Sequence, residues 1–375
     1  MDTDALIAAG VYDPDAADAA ERLKLLRWLL DQGVALDDIV DADRRGSLYR
    51  AGLDALLWPD STRLTVAEVA AAAGLPEATV RRARRLIGLA DPGDERLCRA
   101  SEVEMLRAIG NAITLFGEEP ALQFTRALGT STAAIAEAAI SLFAVSVAEP
   151  MRAAGASSVE YAERVREATL VFTTARSALD VMMRLQFDEA VDRLTGQWAD
   201  TTELPRDQVQ LTIAFVDLAD STRLTISAEP TAFAAAVRDF EGSAAEAAAR
   251  HGARLVKLIG DSAMIAAPDA THVADAAVDL VATIAHDDRF RGAHGGIATG
   301  LVVARNGDYF GPPANLAARL TEVSVPGEIL CDAATAAVLG GDAVPAGSRI
   351  LRGFDAARPV YALLPPTAQT PSVDT

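Results

Sequence analysis

Two hydrophobic patterns divide the chain. Through residues 1–200 apolar side chains recur every three or four positions, and this period predicts amphipathic helices. From residue 209 onward, short apolar runs that predict strands alternate with alanine-rich segments that predict helices. Residues 195–208 between these regions are polar, contain Pro205 and lose the helical period. We therefore predict a boundary there, with a helical domain over residues 1–200 and a second domain over residues 201–365.

The N-terminal domain is predicted to be an all-α bundle of short helices. Glycine and proline, which commonly end helices, recur between its periodic segments. The predicted stops are Gly33, Pro59, Pro92, Gly117, Pro120, Gly129 and Gly155. The clearest helical segments are residues 19–30, 101–116, 132–147 and 158–194.

The C-terminal domain is predicted to be an antiparallel α+β sandwich of the ferredoxin-like kind. Its strands and helices follow the order strand, helix, two strands, helix, strand. The central two strands, residues 254–259 and 262–267, are joined by a tight turn at Gly260 and Asp261. The other predicted strands are residues 209–216 and 295–303 with short ones near Ile329, Ile350 and Tyr361, and the predicted helices are residues 231–251, 269–286 and 313–323. Residues 366–375 are a polar tail that we expect to be disordered.

Charge and cysteine content narrow the function classes. The chain has 34 Lys and Arg against 53 Asp and Glu, and residues 1–200 alone hold 21 basic and 32 acidic side chains, so neither half is typical of a general polyanion binder. The only cysteines, Cys98 and Cys331, lie one in each half, as in a reduced cytoplasmic protein. The N-terminus lacks a basic leader, and the longest apolar run, residues 138–148, is too short to cross a bilayer. We expect a cytoplasmic protein with no membrane span.

Two aspartates form the most specific candidate site. Asp217 ends the first apolar strand, and Asp261 lies in the turn of the predicted hairpin. If that strand lies beside the hairpin, both carboxylates project from one edge of the sheet. Such a pair suits Mg²⁺ or Mn²⁺ bound together with phosphates. Either aspartate alone is more often an ordinary strand-end or turn residue.

Three stretches resemble successive signatures of the class III nucleotidyl cyclase catalytic domain. They are FVDLADST at residues 215–222, KLIGDSAM at residues 257–264 and GDYFGPPANLAARL at residues 307–320. They stand in the family's order, and the resemblance covers about residues 211–364. It implies a ferredoxin-like fold and a homodimer with active sites at the interface. It also implies adenylyl cyclase activity, which converts ATP to 3′,5′-cyclic AMP and pyrophosphate.

The resemblance gives Asp217 and Asp261 the role of metal-binding aspartates, with the backbone carbonyl of Leu218 as a further ligand. Two Mg²⁺ or Mn²⁺ ions per active site would activate the ribose 3′-hydroxyl and neutralise the triphosphate. Residues 219–222 would offer backbone N–H groups to phosphate oxygens. Asp220 stands where many relatives have glycine, and its carboxylate would repel the triphosphate unless it points to solvent.

Lys257 and Asp308 match the family's base-reading pair. Adenine presents an acceptor at N1 and a donor at its amino group, which fit a lysine and an aspartate, whereas guanine presents the reverse. The choice of lysine is informative because Lys24 and Lys257 are the only lysines in the chain.

Asn315 and Arg319, four residues apart on one helix face, match the transition-state pair. Asn315 would hold the ribose, and Arg319 would stabilise charge on the α-phosphate. Arg352 aligns with a basic residue that meets the terminal phosphates.

Residues 64–85 resemble a helix-turn-helix, with a cap at Thr65, a turn at Gly74 and four arginines, 81, 82, 84 and 85, on the second helix. The acidic balance of this half favours a hairpin that packs within the protein, so we expect no DNA partner. The arrangement of helical half and cyclase domain resembles that of the soluble actinobacterial adenylyl cyclases. It implies an autoinhibitory domain that responds to acid pH and binds a fatty acid.

A second function class stays open at this point. The chain would then be a DNA-binding or ligand-responsive regulator whose cyclase-like domain serves only for dimerisation or nucleotide sensing. The complete set of metal, base and transition-state residues favours the enzyme.

Overall fold

The protein divides into two units, Met1–Glu189 and Ala190–Thr375. The structure, a computed structural model, describes residues 3–46, 48–58, 60, 62–200, 208–220 and 229–363. Pro59, the predicted linker residues 201–207, Ser221 and Thr222 of the predicted phosphate loop and the C-terminal tail lie outside the described residues.

Helices make up most of the first unit, and apolar side chains hold them in two clusters. Leu26, Leu29 and Ile39 are fully buried in the first cluster, and Val69 and Leu106 are fully buried in the second. The helices are α1 (Thr3–Ala8), α2 (Ala19–Asp31), α3 (Leu36–Arg44), α4 (Tyr49–Leu57), α5 (Val66–Ala73), α6 (Glu77–Leu86), α7 (Glu102–Phe116), α8 (Glu118–Phe143), α9 (Glu149–Ala153), α10 (Ser158–Thr174) and α11 (Arg176–Asp200).

The helix-turn-helix segment forms as its sequence predicts. A capping box begins α5: the Thr65 hydroxyl accepts from the Glu68 N–H at 3.2 Å, and the Glu68 carboxylate accepts from the Thr65 N–H at 2.8 Å. Gly74, at φ 72°, ends α5 in the left-handed conformation that glycine adopts without strain. A two-residue ribbon of β1 (Arg63–Leu64) and β2 (Cys98–Arg99) flanks the hairpin and was not predicted.

Helix α8 is longer than the sequence pattern predicts. Pro120 lies in its first turn, where the missing N–H costs no hydrogen bond. Gly129 also lies inside the helix, where a Cβ would come within 2.5 Å of the Ile87 Cα, so this position requires glycine for packing. The prediction that these two residues end helices was therefore wrong. The predicted helix over residues 158–194 is also two helices, α10 and α11, divided at Ala175.

Within the described residues, one helical segment, Glu118–Ala153, is long and apolar enough to cross a membrane by length and composition alone, which is weak evidence for a span. A π-helical turn at Ala144–Ala148 joins α8 to α9 within it. The expectation that the chain has no membrane span stays a prediction.

The described part of the second unit contains an eight-stranded sheet in the order β4-β5-β3-β6-β8-β10-β9, with β7 paired to β6. The pair β6–β8 is parallel, so the sheet is mixed and the purely antiparallel prediction was wrong. The chain between these strands crosses over through a helix, which allows β8 to run in the direction of β6. The strands are β3 (Gln208–Leu218), β4 (Arg254–Ile259), β5 (Ser262–Ala267), β6 (Ala293–Arg305), β7 (Asp308–Phe310), β8 (Ile329–Cys331), β9 (Ala343–Arg349) and β10 (Arg358–Leu363).

Helices cover both faces of this sheet. On one face α12 (Pro230–Arg250), α13 (Ala270–Ala285) and α15 (Ala333–Leu339) bury Val216 and Ile265, and on the other α14 (Pro312–Val323) helps to bury Ile213 and Met264. Side chains alternate between the faces along a strand. Asp217, two residues after Phe215 and four after Ile213, therefore lies on the face that carries α14. The helical and α+β architecture is confirmed, although β7 and α15 were not predicted.

Candidate active site

Asp217 and Asp261 lie together at one end of the sheet. Asp217 is the penultimate residue of β3 and pairs with Ser262, the first residue of β5. The turn that contains Asp261 immediately precedes Ser262, and the Leu218 N–H donates to the backbone carbonyl of Asp261 at 3.2 Å. Gly260 closes this turn at φ 64°. The structure thus brings the two predicted carboxylates to one edge.

Burial and the negative charge of Asp261 both disfavour the ionised form of Asp217. Burial raises the pKa of Asp217 to about 6; the negative charge of Asp261 adds to the rise, and a hydrogen bond from the Leu218 N–H opposes it. Neither aspartate has an ion-pair partner within the residues that the structure describes. A bound cation would relieve both the burial cost and the repulsion.

The donor set fits a hard divalent ion such as Mg²⁺ or Mn²⁺. Both side chains offer carboxylate oxygens, which these ions prefer. Across the described ranges there is no group of three His, Cys, Asp or Glu residues that could hold a metal by itself. Two carboxylates leave coordination positions for phosphate oxygens and water, as is usual for Mg²⁺ at nucleotide sites.

Lys257 and Asp308 form an ion pair between β4 and β7. The Lys257 Nζ lies 2.5 Å from Asp308 Oδ2, and the other carboxylate oxygen accepts from the Tyr309 N–H at 2.8 Å. The lysine side chain is 36% exposed and that of the aspartate 23%, so both remain accessible to a ligand. The Lys257 Nζ also lies 5.9 Å from the centre of the Phe310 ring.

Helix α14 carries Asn315 and Arg319 one turn apart. The helix begins after Gly311, at φ 145°, with prolines at its first two positions, where they need no N–H partner. Asn315 is exposed, and Arg319 forms an ion pair with Glu322 on the same helix. The guanidinium is thus held by a carboxylate that an anionic ligand would have to displace.

The remaining candidates lie apart from these pairs. Arg352 is exposed in the segment between β9 and β10, and no contact joins it to another candidate residue within the described part of the chain. Asp220 is exposed at φ 59° and lies 3.5 Å from Arg291, whose charge compensates its carboxylate. Arg291 was not identified from the sequence.

The arginines of α6 are engaged within the first unit. Arg84 is buried and pairs with Glu102. Each of the four arginines pairs with at least one carboxylate, so the positive charge of α6 that could contact DNA phosphates is neutralised within the protein. The other pairs are Arg81 with Asp91, Glu77 and Asp94, Arg82 with Glu118 and Glu119, and Arg85 with Asp91.

Two further residues near the ion pair were missed by sequence reasoning. The Arg254 Nη2 donates to the Gly307 carbonyl at 3.0 Å, and its Nη1 donates to the Tyr309 hydroxyl at 3.3 Å. Arg254 precedes Lys257 by three positions, and a regular strand would place two such residues on opposite faces. The alternation pattern therefore gave no signal for it.

Comparison with known proteins gives matches to both units. Residues 2–190 match the family model "Adenylate cyclase regulatory domain", and residues 205–353 match "Adenylate and Guanylate cyclase catalytic domain". The chain is 33% identical to an uncharacterized protein of Mycobacterium tuberculosis over 96% of its own length and 93% of the relative's.

Other relatives that match most of the chain carry functional names. The chain is 32% identical to an adenylate cyclase of Streptomyces coelicolor, over 76% of this chain and 74% of that one. It is 29% identical to a pH-sensitive adenylate cyclase of Mycobacterium tuberculosis, over 89% and 86%. Among solved structures, the adenylyl cyclase CyaB from P. aeruginosa matches 42% of this chain and 94% of that one, at 21% identity and a TM-score of 0.39.

Proposed function

This chain belongs to the class III adenylate cyclases that carry an adenylate cyclase regulatory domain, and from that premise we propose how its own residues act on ATP. It is an adenylate cyclase, an enzyme that forms cyclic AMP. The alternative of a regulator with an inactive cyclase-like domain is set aside, because the named relatives that match most of the chain are cyclases.

The ion pair of Lys257 and Asp308 is the observation that carries the assignment of ATP as the substrate. We propose that Lys257 donates to adenine N1 and that Asp308 accepts from the 6-amino group. Guanine would place a donor against the lysine and an acceptor against the carboxylate. Such mispairing of partly buried polar groups is costly, so the pair selects against GTP.

Asp217 and Asp261 are the proposed ligands of two divalent ions, with the Leu218 carbonyl as a further ligand. The raised pKa of Asp217, caused first by burial and then by the charge of Asp261, and the lack of cationic partners for either aspartate among the described residues support this role. When bound, Mg²⁺ or Mn²⁺ would neutralise triphosphate charge and acidify the ribose 3′-hydroxyl.

Asn315, Arg319 and Arg352 are the proposed contacts to the ribose and the phosphates. Asn315 holds the ribose so that its 3′-hydroxyl faces the α-phosphate. Arg319 leaves its ion pair with Glu322 and contacts the α-phosphate. A guanidinium can make two hydrogen bonds to the negative charge that develops there. Arg352 neutralises the terminal phosphates as they become pyrophosphate.

A homodimer with shared sites is the proposed active form. Asn315 is exposed and the side chain of Lys257 is more than one-third exposed in the single chain. Electrostatic catalysis is stronger in a site from which water is excluded. A second copy that brings its own Asp217 and Asp261 would cover these residues and complete the site.

Regulation is the proposed role of residues 1–200, ahead of a catalytic domain over residues 201–365. We propose that this domain inhibits the catalytic half, that acid pH relieves the inhibition and that a fatty acid binds its apolar surface. Exposed apolar side chains of α8 and α11, including Phe124, Ile140, Met182 and Phe187, support the lipid proposal. The two cysteines are free and buried, which supports a cytoplasmic location.

The proposals for catalysis and for regulation have direct tests. Purified full-length protein should form cyclic AMP from Mn²⁺-ATP. Asp217→Asn and Asp261→Asn should each abolish this activity, and Asp288→Asn, an exposed control, should not.

Protein that starts near residue 201 should be more active at neutral pH than the full chain. If it dimerises without a gain in activity, the helical domain is not inhibitory.

A further inference from the structure

Arg254 ties the beginning of β4 to both sides of Asp308. Its guanidinium donates to the carbonyl of Gly307, the residue before Asp308, and to the hydroxyl of Tyr309, the residue after it. It also lies 5.9 Å from the centre of the Tyr309 ring. These groups are 53 and 55 positions away along the chain, so the contacts join two separate parts of the fold.

A β-bulge places Arg254 on the same face as Lys257. Arg254 pairs with Ala266 of β5 and Lys257 pairs with Met264, while Val256 between them has no partner in the register. Ala266 and Met264 are two residues apart and share a face of β5. Their partners therefore share that face too, and both long side chains extend from β4 towards the β6–β7 turn.

The turn before Asp308 lies at the end of a short hairpin. Asn306 at φ 53° and Gly307 at φ 77° form the two-residue turn between Arg305 and Asp308. Strand β7 has only three residues and pairs with β6 alone, through Val303, Ala304 and Arg305. Tyr309 of β7 packs against the cluster that contains Ile213 and Met264, and the contacts of Arg254 add a second attachment at the turn itself.

We infer that Arg254 is a positioning residue for base selection, which it performs by holding the Asn306–Gly307 turn against β4. The inference rests on the base-reading role proposed for Lys257 and Asp308. When Lys257 and Asp308 hydrogen-bond the base, part of their hydrogen bonding goes to the base. Their ion pair then holds β4 and β7 together less strongly. Arg254 uses backbone and tyrosine acceptors that the base does not contact, so it keeps Asp308 in place during binding.

The substitutions should have graded effects. Arg254→Ala should lower kcat/KM for ATP about 10- to 100-fold, mostly by raising KM, and should lower the ratio of ATP to GTP turnover, since a displacement of about 1 Å costs that much in a preorganised site. Arg254→Lys should recover part of the loss, because an ammonium can still donate to the Gly307 carbonyl. Tyr309→Phe, which removes one 3.3 Å contact, should have a smaller effect than Arg254→Ala.

The experiment measures kcat and KM for ATP and GTP in the full chain. Arg305→Ala is the matched control, because Arg305 is an exposed arginine beside the same turn and has no ion pair within the described residues. Asp308→Ala tests the premise: if it leaves the ratio of ATP to GTP turnover unchanged, the base-reading proposal fails. If Asp308→Ala lowers this ratio but Arg254→Ala does not, the role of Arg254 is overturned. Should Arg254→Ala fail to fold, Arg254→Met, which keeps the length of the side chain but has no donor, would overturn it equally if its ratio is unchanged.

Discussion

Gly296 of β6 lies directly against the backbone of α14 at Ala317. A Cβ on Gly296 would come within 2.3 Å of the Ala317 carbonyl oxygen and 2.4 Å of the Thr321 nitrogen. These are backbone atoms, so they cannot move aside without moving the helix. Because Asn315 and Arg319 stand on α14, this approach sets the distance of both side chains from the sheet.

Gly296→Ala should push α14 outward. We expect a loss of about 2–4 kcal/mol in unfolding free energy from overpacking, and a fall of about 100-fold in kcat from displacement of Arg319. Denaturant unfolding and initial-rate assays measure the two effects. Gly242→Ala is the control: Gly242 is exposed in α12 with no atom within 4 Å of a Cβ, so the change should stabilise the protein by about 0.5–1 kcal/mol. Equal effects of the two substitutions would contradict the close-contact explanation.

Lys257→Glu should lower adenylate cyclase activity severely. The substitution replaces a donor by an acceptor opposite adenine N1 and places two carboxylates together at Asp308, so we expect a loss of about 100-fold or more in kcat/KM. Lys24→Glu, which changes the other lysine on the exposed surface of α2, should leave activity unchanged. Unchanged ATP turnover in Lys257→Glu would remove the base-reading assignment.

Asp217→Ala and Arg319→Ala proteins should complement each other. Each alone should be nearly inactive, but a mixed dimer contains one site that has received neither substitution. Cyclic AMP formation after mixing measures this site, and at random assortment about one-quarter of the wild-type activity should return. A mixture that forms heterodimers and stays inactive would indicate sites contained within one chain.

Asp217→Asn should stabilise the protein in EDTA above about pH 6. The folded pKa of Asp217, about 6, lies above its ordinary value of 3.8, so ionisation costs folding free energy as pH rises between these values. The variant escapes this cost, by about 1–2 kcal/mol after allowance for solvent screening, and the difference should vanish below about pH 4. Mn²⁺ should reverse the order, because the wild-type protein alone gains stability from the ion. Unfolding curves at pH 4, 5.5 and 7.5 with and without Mn²⁺ test both signs.

The sequence predicted the catalytic half better than the helical half, for a physical reason. Strand alternation and the turn at Gly260 are local signals, and the predicted hairpin strands match β4 and β5 residue for residue. In the helical half, Gly129 has the local pattern of a helix stop. Glycine is required there because the helix packs closely against Ile87, 42 positions earlier, and a local sequence pattern cannot reveal that contact. Arg254 escaped for a similar reason, because the bulge that turns it towards Lys257 is a feature of pairing with β5.

The unpaired Val256 also fixes which changes of chain length β4 can accept. Removal of one residue between Arg254 and Lys257 would restore regular pairing, and the arginine would then have to stand two positions before the lysine to remain on its face. A one-residue deletion that leaves them at that separation therefore preserves the contacts of Arg254, and so does a deletion before Arg254, which leaves the bulge in place. In relatives with a regular strand we expect the cation two positions before the lysine. In relatives that have the extra residue we expect it three positions before the lysine. An alignment that ignores this insertion would score the same structural contact as a mismatch.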